Sequence, residues 1–168
     1  GVSPVEGLVD SRIFLGSFET KTMLCTQYIR HASNPEYTPE PDIVHEVIGH
    51  VPMFTNPDFV EFSELLGHAA VKANDEELKQ IERLYWFTIE FGLIQEKDLK
   101  VYGAGLLSSF GEIQHCLTEK VVKLPFDLET VISTDYDYSK MQDKLFVIIS
   151  FKKLRDDSEK FLTRIICR

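Results

Sequence analysis

From Pro57 onward the apolar residues fall at Phe59, Phe62, Leu65, Leu66 and Ala69, the three- and four-residue spacing that gives a helix one buried face. Asn74 followed by Glu77 has the form of a capping box. It opens a second long helix, whose apolar stripe is Leu78, Ile81, Leu84, Tyr85 and Ile89 and whose natural stop is Gly92. Phe151, Leu154, Phe161, Leu162 and Ile165 predict a final helix, and another is predicted from Leu106 to Lys120. Strands are few: Leu99 to Tyr102 fits a short one, and Leu145 to Ile149 is apolar and partly β-branched, as a buried strand requires. Residues 1–20 show no clear period and predict loop and short extended pieces. Residues 33–42 hold Pro35, Pro39 and Pro41, which exclude a regular helix or a central strand. Asp42 is then a good N-cap for a helix that begins at Ile43 and ends near Gly49, with Pro52 close behind. The pattern predicts a mainly α chain with short β-strands.

Length and composition narrow the class. A chain of 168 residues predicts one domain, and 43% hydrophobic with 27% charged residues is the balance of a globular protein. The formal charge of −9 and the lack of a Lys/Arg stripe argue against nucleic acid and against an anionic membrane surface. Lys152, Lys153 and Arg155 lie among Asp156, Asp157 and Glu159, a solvated helix face. Cys25, Cys116 and Cys167 are far apart and odd in number, which predicts free thiols in a reducing compartment. With no long apolar run and no signal pattern, a cytoplasmic location is expected. Nothing in the pattern fixes an oligomeric state.

The chemistry concentrates in Pro41-Asp42-Ile43-Val44-His45-Glu46-Val47-Ile48-Gly49-His50-Val51-Pro52. Two histidines near a helix end can hold a divalent metal through their imidazole nitrogens. The zinc-protease motif spaces its histidines four apart on one helix face. Here they are five apart, about 140° on a regular helix at roughly 100° per residue. Both reach one metal only if the helix ends or distorts before His50, which Gly49 permits. A third ligand is available in Glu90, set among Trp86, Phe87, Ile89 and Phe91. A carboxylate in such company needs a cation, a donor or a metal, because burying it unpaired costs several kcal/mol, roughly. Taken singly, each of these residues is more often a satisfied core residue than a ligand. Taken together, two histidines and a carboxylate make a facial triad with open positions of the kind used by non-haem Fe(II) oxygenases. Spacing alone does not choose iron over zinc.

The motifs Gln27-Tyr28-Ile29-Arg30-His31, Tyr37-Thr38-Pro39-Glu40-Pro41-Asp42, His45-Glu46-x-x-Gly49-His50-Val51-Pro52, Tyr85-Trp86-Phe87-Thr88-x-Glu90-Phe91-Gly92 and Tyr102-Gly103-Ala104-Gly105-Leu106-Leu107-Ser108-Ser109 closely resemble the pterin-dependent aromatic amino acid hydroxylases. The likeness is dense over residues 7–112 and weaker beyond about residue 121. It implies that family's catalytic-domain fold, as a partial core over residues 1–168 cut at both ends. It implies a monooxygenase acting on an aromatic amino acid with O2, Fe(II) and tetrahydrobiopterin, one oxygen atom going to the pterin and the other to the substrate ring.

By the same resemblance His45, His50 and Glu90 match the iron ligands, and Glu46 the residue that faces the pterin through water. Phe14 matches the ring stacked on the pterin, while Gly7, Val9 and Ser11 match the segment bonded to its edge. Arg30 matches the arginine that pairs with the substrate carboxylate, and Asp42 its orienting partner. Thr38, Trp86, Phe91, Gly105 and Ser108 match the wall of the amino-acid pocket, and Ser108 also stands to hold a ligand histidine. Tryptophan at position 86 goes with phenylalanine and tyrosine as substrates, phenylalanine first, whereas tryptophan hydroxylases carry Phe there. Three positions depart from the pattern: Glu82 replaces a small residue near the pterin, and Met23 and Leu24 replace an aromatic and a polar residue. Two alternatives stay open. One is a tyrosine or tryptophan hydroxylase. The other is a non-catalytic metal- or partner-binding piece of such an enzyme. A zinc hydrolase with Glu46 as base has the wrong histidine spacing.

Overall fold

The structure, a computed structural model, describes residues 1–36, 38 and 40–168. Tyr37 and Pro39, both in the motif of the proline-rich loop, lie outside the described residues.

Strand β1 (Val2–Val5) pairs in parallel with β2 (Met23–Thr26), Val2 opposite Met23. Between them lie α1 (Ser11–Gly16) and a 3-10 turn, Ser17–Thr20. Helices α2 (Pro57–Lys72), α3 (Asp75–Tyr85) and α7 (Phe151–Ile166) are the long ones. A second sheet has the order β4-β3-β6-β5, built from β3 (Leu93–Gln95), β4 (Leu99–Val101), β5 (Val122–Pro125) and β6 (Lys144–Ile148). Only the β3–β4 pair is antiparallel. The short helices α4 (Ala104–Leu107), α5 (Phe110–His115) and α6 (Leu128–Ser133) fill the connections. The chain is therefore mainly helical with short strands, as the pattern predicts.

The main core forms where the predicted stripes meet. Phe59, Phe62 and Leu66 of α2, Ile81 and Leu84 of α3, and Leu154, Leu162 and Ile165 of α7 are buried together with Phe87 and Phe146. Each contributes roughly 1.5–3 kcal/mol by leaving water. The Asn74–Glu77 capping box is present in full: the Asn74 side chain accepts from the Glu77 amide at 2.9 Å, and the Asn74 amide donates to Glu77 at 3.1 Å. A smaller cluster, including Phe91, Leu93, Leu106, Cys116 and Leu145, lies under the second sheet.

Several elements differ from expectation. The first twenty residues hold two helical turns, because Asp10 caps the Arg12 amide at 2.9 Å and Leu15 and Phe18 are buried. The single helix predicted over Leu106 to Lys120 is two short ones. Ser108 bonds back to the Ala104 carbonyl, and Ser109 caps the Glu112 amide, so the serines end one helix and start the next. Strands β3 and β5 and helix α6 carry too few apolar repeats to be legible in advance.

Candidate metal centre

The helix that begins at Ile43 does not end at Gly49. After only Ile43 and Val44 it widens into a π turn over His45–His50, then tightens into a 3-10 turn over Val51–Thr55. Its start is fixed as predicted, by Asp42 accepting from the His45 amide at 3.0 Å. An i→i+5 turn stacks residues five apart on one side. His45 and His50, splayed on a regular helix, thus face the same point, with 2.9 Å between their Nε2 atoms. Gly49 serves a different purpose from the expected break. A Cβ there would lie 2.8 Å from the Ala104 carbonyl oxygen, so glycine lets the π turn press against α4.

The long helix α3 widens in the same way, into a π turn over Trp86–Glu90. This aims Glu90 at the histidines: Oε1 lies 3.0 Å from His50 Nε2 and Oε2 lies 3.6 Å from His45 Nε2. Glu90 is buried, as its apolar neighbours imply. The Tyr85 hydroxyl donates to Glu90 Oε1. Burial and the adjacent Glu90 charge push the Tyr85 phenol well above its usual value, so it remains a donor.

Protonation is set by the neighbours. His45 Nδ1 lies 2.8 Å from Ser108 Oγ, and that hydroxyl lies 2.8 Å from the Ala104 carbonyl. A carbonyl only accepts, so the serine proton goes to Ala104 and the imidazole Nδ1–H donates to Ser108. The neutral His45 ring therefore turns the lone pair of Nε2 toward His50 and Glu90. Burial lowers the basicity of His45, but Glu90, Glu46 and Asp42 outweigh it and hold the pKa above the usual value. Burial would raise the Glu90 carboxyl, yet His50 and His45 hold it well below the usual range. The pocket favours positive charge.

These distances fit one metal. At bonds of about 2.1 Å, neighbouring corners of an octahedron lie about 3.0 Å apart and tetrahedral ligands about 3.4 Å apart. The separations of 2.9 Å between the imidazoles and 3.0 Å from His50 to Glu90 Oε1 suit such a set, and the 3.6 Å from His45 runs to the other oxygen, Oε2. Glu46 brings a second buried carboxylate, grouped with the two histidines within 4.8 Å. Its Oε1 accepts from the Thr26 amide at 3.3 Å, the Thr26 hydroxyl gives its proton to the Pro41 carbonyl at 2.7 Å, and Oε2 is buried without a partner among the described residues. The shorter contacts favour Glu90 as third ligand.

Most of the residues expected on the substrate side gather beside it. Asp42 takes Arg30 Nε at 2.8 Å and Nη2 at 2.7 Å, and also the Arg30 amide at 2.8 Å. Arg30 Nη1 reaches the Ser108 carbonyl at 3.0 Å, which ties the arginine to the residue that holds His45. With Nε and one Nη2 proton on Asp42 and Nη1 on the Ser108 and Pro35 carbonyls, the guanidinium has one Nη2 N–H left for a further anion. Trp86 is sandwiched, its ring stacked on Tyr136 at 4.3 Å and tilted on Phe91 at 4.5 Å, and its Nε1 donates to Gln142 at 3.1 Å. Its faces are thus committed to Phe91 and Tyr136. Gly105 is crowded: an added Cβ would lie 2.8 Å from the Phe91 ring. Thr38 stands apart from the triad, its hydroxyl 3.0 Å from that of Tyr28.

The other expected group lies on α1 and the irregular stretch before it. Gly7 and Val9 are half-buried there. Phe14 meets Tyr85 edge-on at 5.7 Å and Phe18 at 5.5 Å. The Ser11 hydroxyl donates to Glu82. Four residues close to the centre were missed from sequence. Tyr85 reads there as part of an apolar stripe, and Thr26, Tyr136 and Gln142 sit in segments with no motif; only Tyr85, five residues from Glu90, carried a usable signal.

Two imidazoles and a carboxylate converging on one point, with a second buried carboxylate beside them, form a two-histidine, one-carboxylate group that could hold a metal ion. The chain belongs to the biopterin-dependent aromatic amino acid hydroxylase family, which residues 1–167 match. It is 47% identical over 163 residues to rat phenylalanine-4-hydroxylase, covering 96% of this chain and 36% of that protein. To human tyrosine 3-monooxygenase it is 45% identical, covering 96% of this chain and 31% of the other. The chain thus spans about a third of the length of the curated relatives it matches. Its fold superimposes on phenylalanine hydroxylase from Chromobacterium violaceum, in a crystal structure with bound iron(III) and the oxidized cofactor 7,8-dihydrobiopterin. The TM-score is 0.89 at 35% identity, over 98% of this chain and 61% of that one. This is the family's catalytic fold in part, as the motifs imply. Among the described residues, no helix is long and apolar enough to cross a membrane.

Proposed function

We propose that residues 1–168 form one catalytic-core unit of a cytoplasmic monooxygenase that hydroxylates the ring of an aromatic amino acid, L-phenylalanine first, with non-haem Fe(II), tetrahydrobiopterin and O2. The observation that carries this reading is the convergence of His45, His50 and Glu90 within 2.9–3.6 Å of one another in a chain of this family. When bound, iron and the reduced pterin together supply the activation of dioxygen, one atom passing to the substrate ring and the other to the pterin.

The chain's own residues supply the positioning. Ser108 fixes the His45 tautomer through Nδ1, and Tyr85 steadies Glu90. Arg30, anchored by Asp42, offers its positive charge and remaining Nη2 N–H to the substrate carboxylate, a task suited to a guanidinium. Phe91, Gly105 and the sandwiched Trp86 shape the wall that excludes water around the substrate ring, with Thr38 at its outer margin. Glu46, held by Thr26, turns its unpartnered Oε2 toward the pterin and a bridging water. Phe14 gives the pterin a ring to lie against, flanked by Gly7, Val9 and Ser11.

The test is anaerobic loading with Fe(II), then O2, tetrahydrobiopterin and phenylalanine, with tyrosine quantified by mass spectrometry against His45→Ala. Pterin-dependent tyrosine from the unmutated chain alone supports the reading; none, at stoichiometric iron, refutes it for this chain. The second reading, a non-catalytic metal-binding piece, predicts bound iron without tyrosine in the same assay. Tyrosine or tryptophan in place of phenylalanine in the same assay tests the neighbouring specificities.

A further inference from the structure

Helices α1 and α3 meet through two matched pairs. Ser11 and Phe14 are three apart on α1, Glu82 and Tyr85 three apart on α3, and such residues share a helix face. Ser11 bonds Glu82, and Phe14 packs on Tyr85. Tyr85 in turn donates to Glu90. One continuous wall therefore runs from the Glu82 carboxylate, past the Phe14 and Tyr85 rings, to the candidate metal ligands. Glu46 Oε2, buried and without a partner, also belongs to the surroundings of Tyr85, whose phenol feels its charge.

Glu82 is unusual on this wall. It is half-buried, and among the described residues its carboxylate has the Ser11 hydroxyl but no cation as partner. Its neighbour Arg83 is committed to Asp135 and to the Ile132 carbonyl. Once Ser11 has given its proton to Oε1, what remains is acceptors: the lone pairs of Ser11 Oγ and the free Oε2 of Glu82. An end of the wall that offers only acceptors selects a ligand that brings donors. Because Ser11 already occupies one carboxylate oxygen, the site suits separate O–H donors better than the paired N–H edge of an aminopyrimidine, which calls for both oxygens.

We propose that Glu82, with Ser11, is a specificity-determining pair that recognises the hydroxyl groups on the side chain of a reduced pterin whose ring lies against Phe14. This rests on the pterin site proposed above and adds a residue to it. Glu82 discriminates between pterins that carry a hydroxylated side chain and those that do not.

The test is calorimetric titration of the Fe(II)-loaded full chain, without O2, with 7,8-dihydrobiopterin and with 6-methyl-7,8-dihydropterin, for the unmutated protein, Glu82→Ala and Glu82→Gln. Loss of hydrogen bonds to a charged group predicts about a tenfold or greater loss of affinity for dihydrobiopterin in Glu82→Ala. The 6-methyl compound should bind nearly unchanged, and Glu82→Gln should fall between. Equal losses for both pterins, or no loss for either, would overturn the proposal. Failure of the unmutated chain to bind either pterin would instead defeat the pterin site on which it rests. Unchanged melting of the variants separates recognition from misfolding.

Discussion

His45 and His50 bring their Nε2 atoms to within 2.9 Å although five residues separate them. The π turn makes this possible, and Gly49 makes the π turn possible by letting its backbone meet Ala104. A methyl group at position 49 would lie 2.8 Å from the Ala104 carbonyl oxygen and 2.9 Å from its Cβ. Backbone cannot swing aside as a side chain can. Gly49→Ala should therefore cost roughly 1–3 kcal/mol, the range for overpacking, and weaken Fe(II) binding because Ser108 follows directly on α4. Thermal melting and metal titration check this together; a variant with wild-type melting and affinity would mean that the close approach does not hold the histidines in place.

Ser108 and Glu90 offer a graded comparison. Glu90→Ala removes a ligand and should abolish both stoichiometric iron and pterin-dependent hydroxylation. Ser108→Ala removes only the acceptor for the His45 Nδ1 proton. Loss of such an outer partner costs roughly 10–100-fold in metal affinity, so iron should still bind, more weakly. Equilibrium dialysis against a competing chelator measures both. An Ser108→Ala chain with undiminished affinity would show that the His45 ring is oriented by other means.

The Arg30–Asp42 pair holds structure and, in the function proposed above, also anchors the substrate. Asp42 is fully buried, and its carboxylate answers the Arg30 side chain, the Arg30 amide and the His45 amide. Asp42→Ala strands the guanidinium and uncaps the helix that carries His45 and His50, and breaking a buried pair costs roughly 3–5 kcal/mol. Chemical denaturation should register that loss. Arg30→Lys keeps the charge but loses the planar fork, so it should chiefly raise the KM for the amino acid while leaving kcat close to its original value. An unchanged KM would count against Arg30 as the carboxylate anchor.

How much of this was legible in the residues depends on the range of the interaction. The Asn74–Glu77 box, the Asp42 cap and the stripes of α2, α3 and α7 are local, and local spacing specifies them. The two histidines and Glu90 were legible as chemistry, since a carboxylate amid Trp86, Phe87 and Phe91 needs a partner. The π turns were not. A five-residue spacing asked for a distortion, but only the press of Gly49 against Ala104, 55 positions onward, decides that the helix widens rather than ends. The break at Ser108 has the same origin: a regular helix over Leu106–Lys120 was the reading from spacing, and the contact with His45 is what competes with it. Trp86 was legible as an aromatic near the site, but the stack on Tyr136 joins segments 50 positions apart.

Glu112 gives a test that leaves the metal untouched. It is buried on α5, with Oε1 accepting from the Gln142 amide at 3.1 Å and Oε2 without a partner among the described residues. Burial raises its pKa above the usual carboxylate value, and the single amide bond offsets this only in part. A carboxyl whose folded pKa is raised binds more protons folded than unfolded, so it destabilises the fold once ionised and ceases to do so when protonated. Glu112→Gln keeps an acceptor for Gln142 and removes the charge. Its melting temperature should exceed that of the unmutated chain at pH 7. The gap should narrow as pH falls through the raised folded value and close below about pH 4, near the unfolded glutamate range. Melting curves from pH 7 down to the acid limit measure this; a gap independent of pH would mean that the change acts through packing and not through the buried charge.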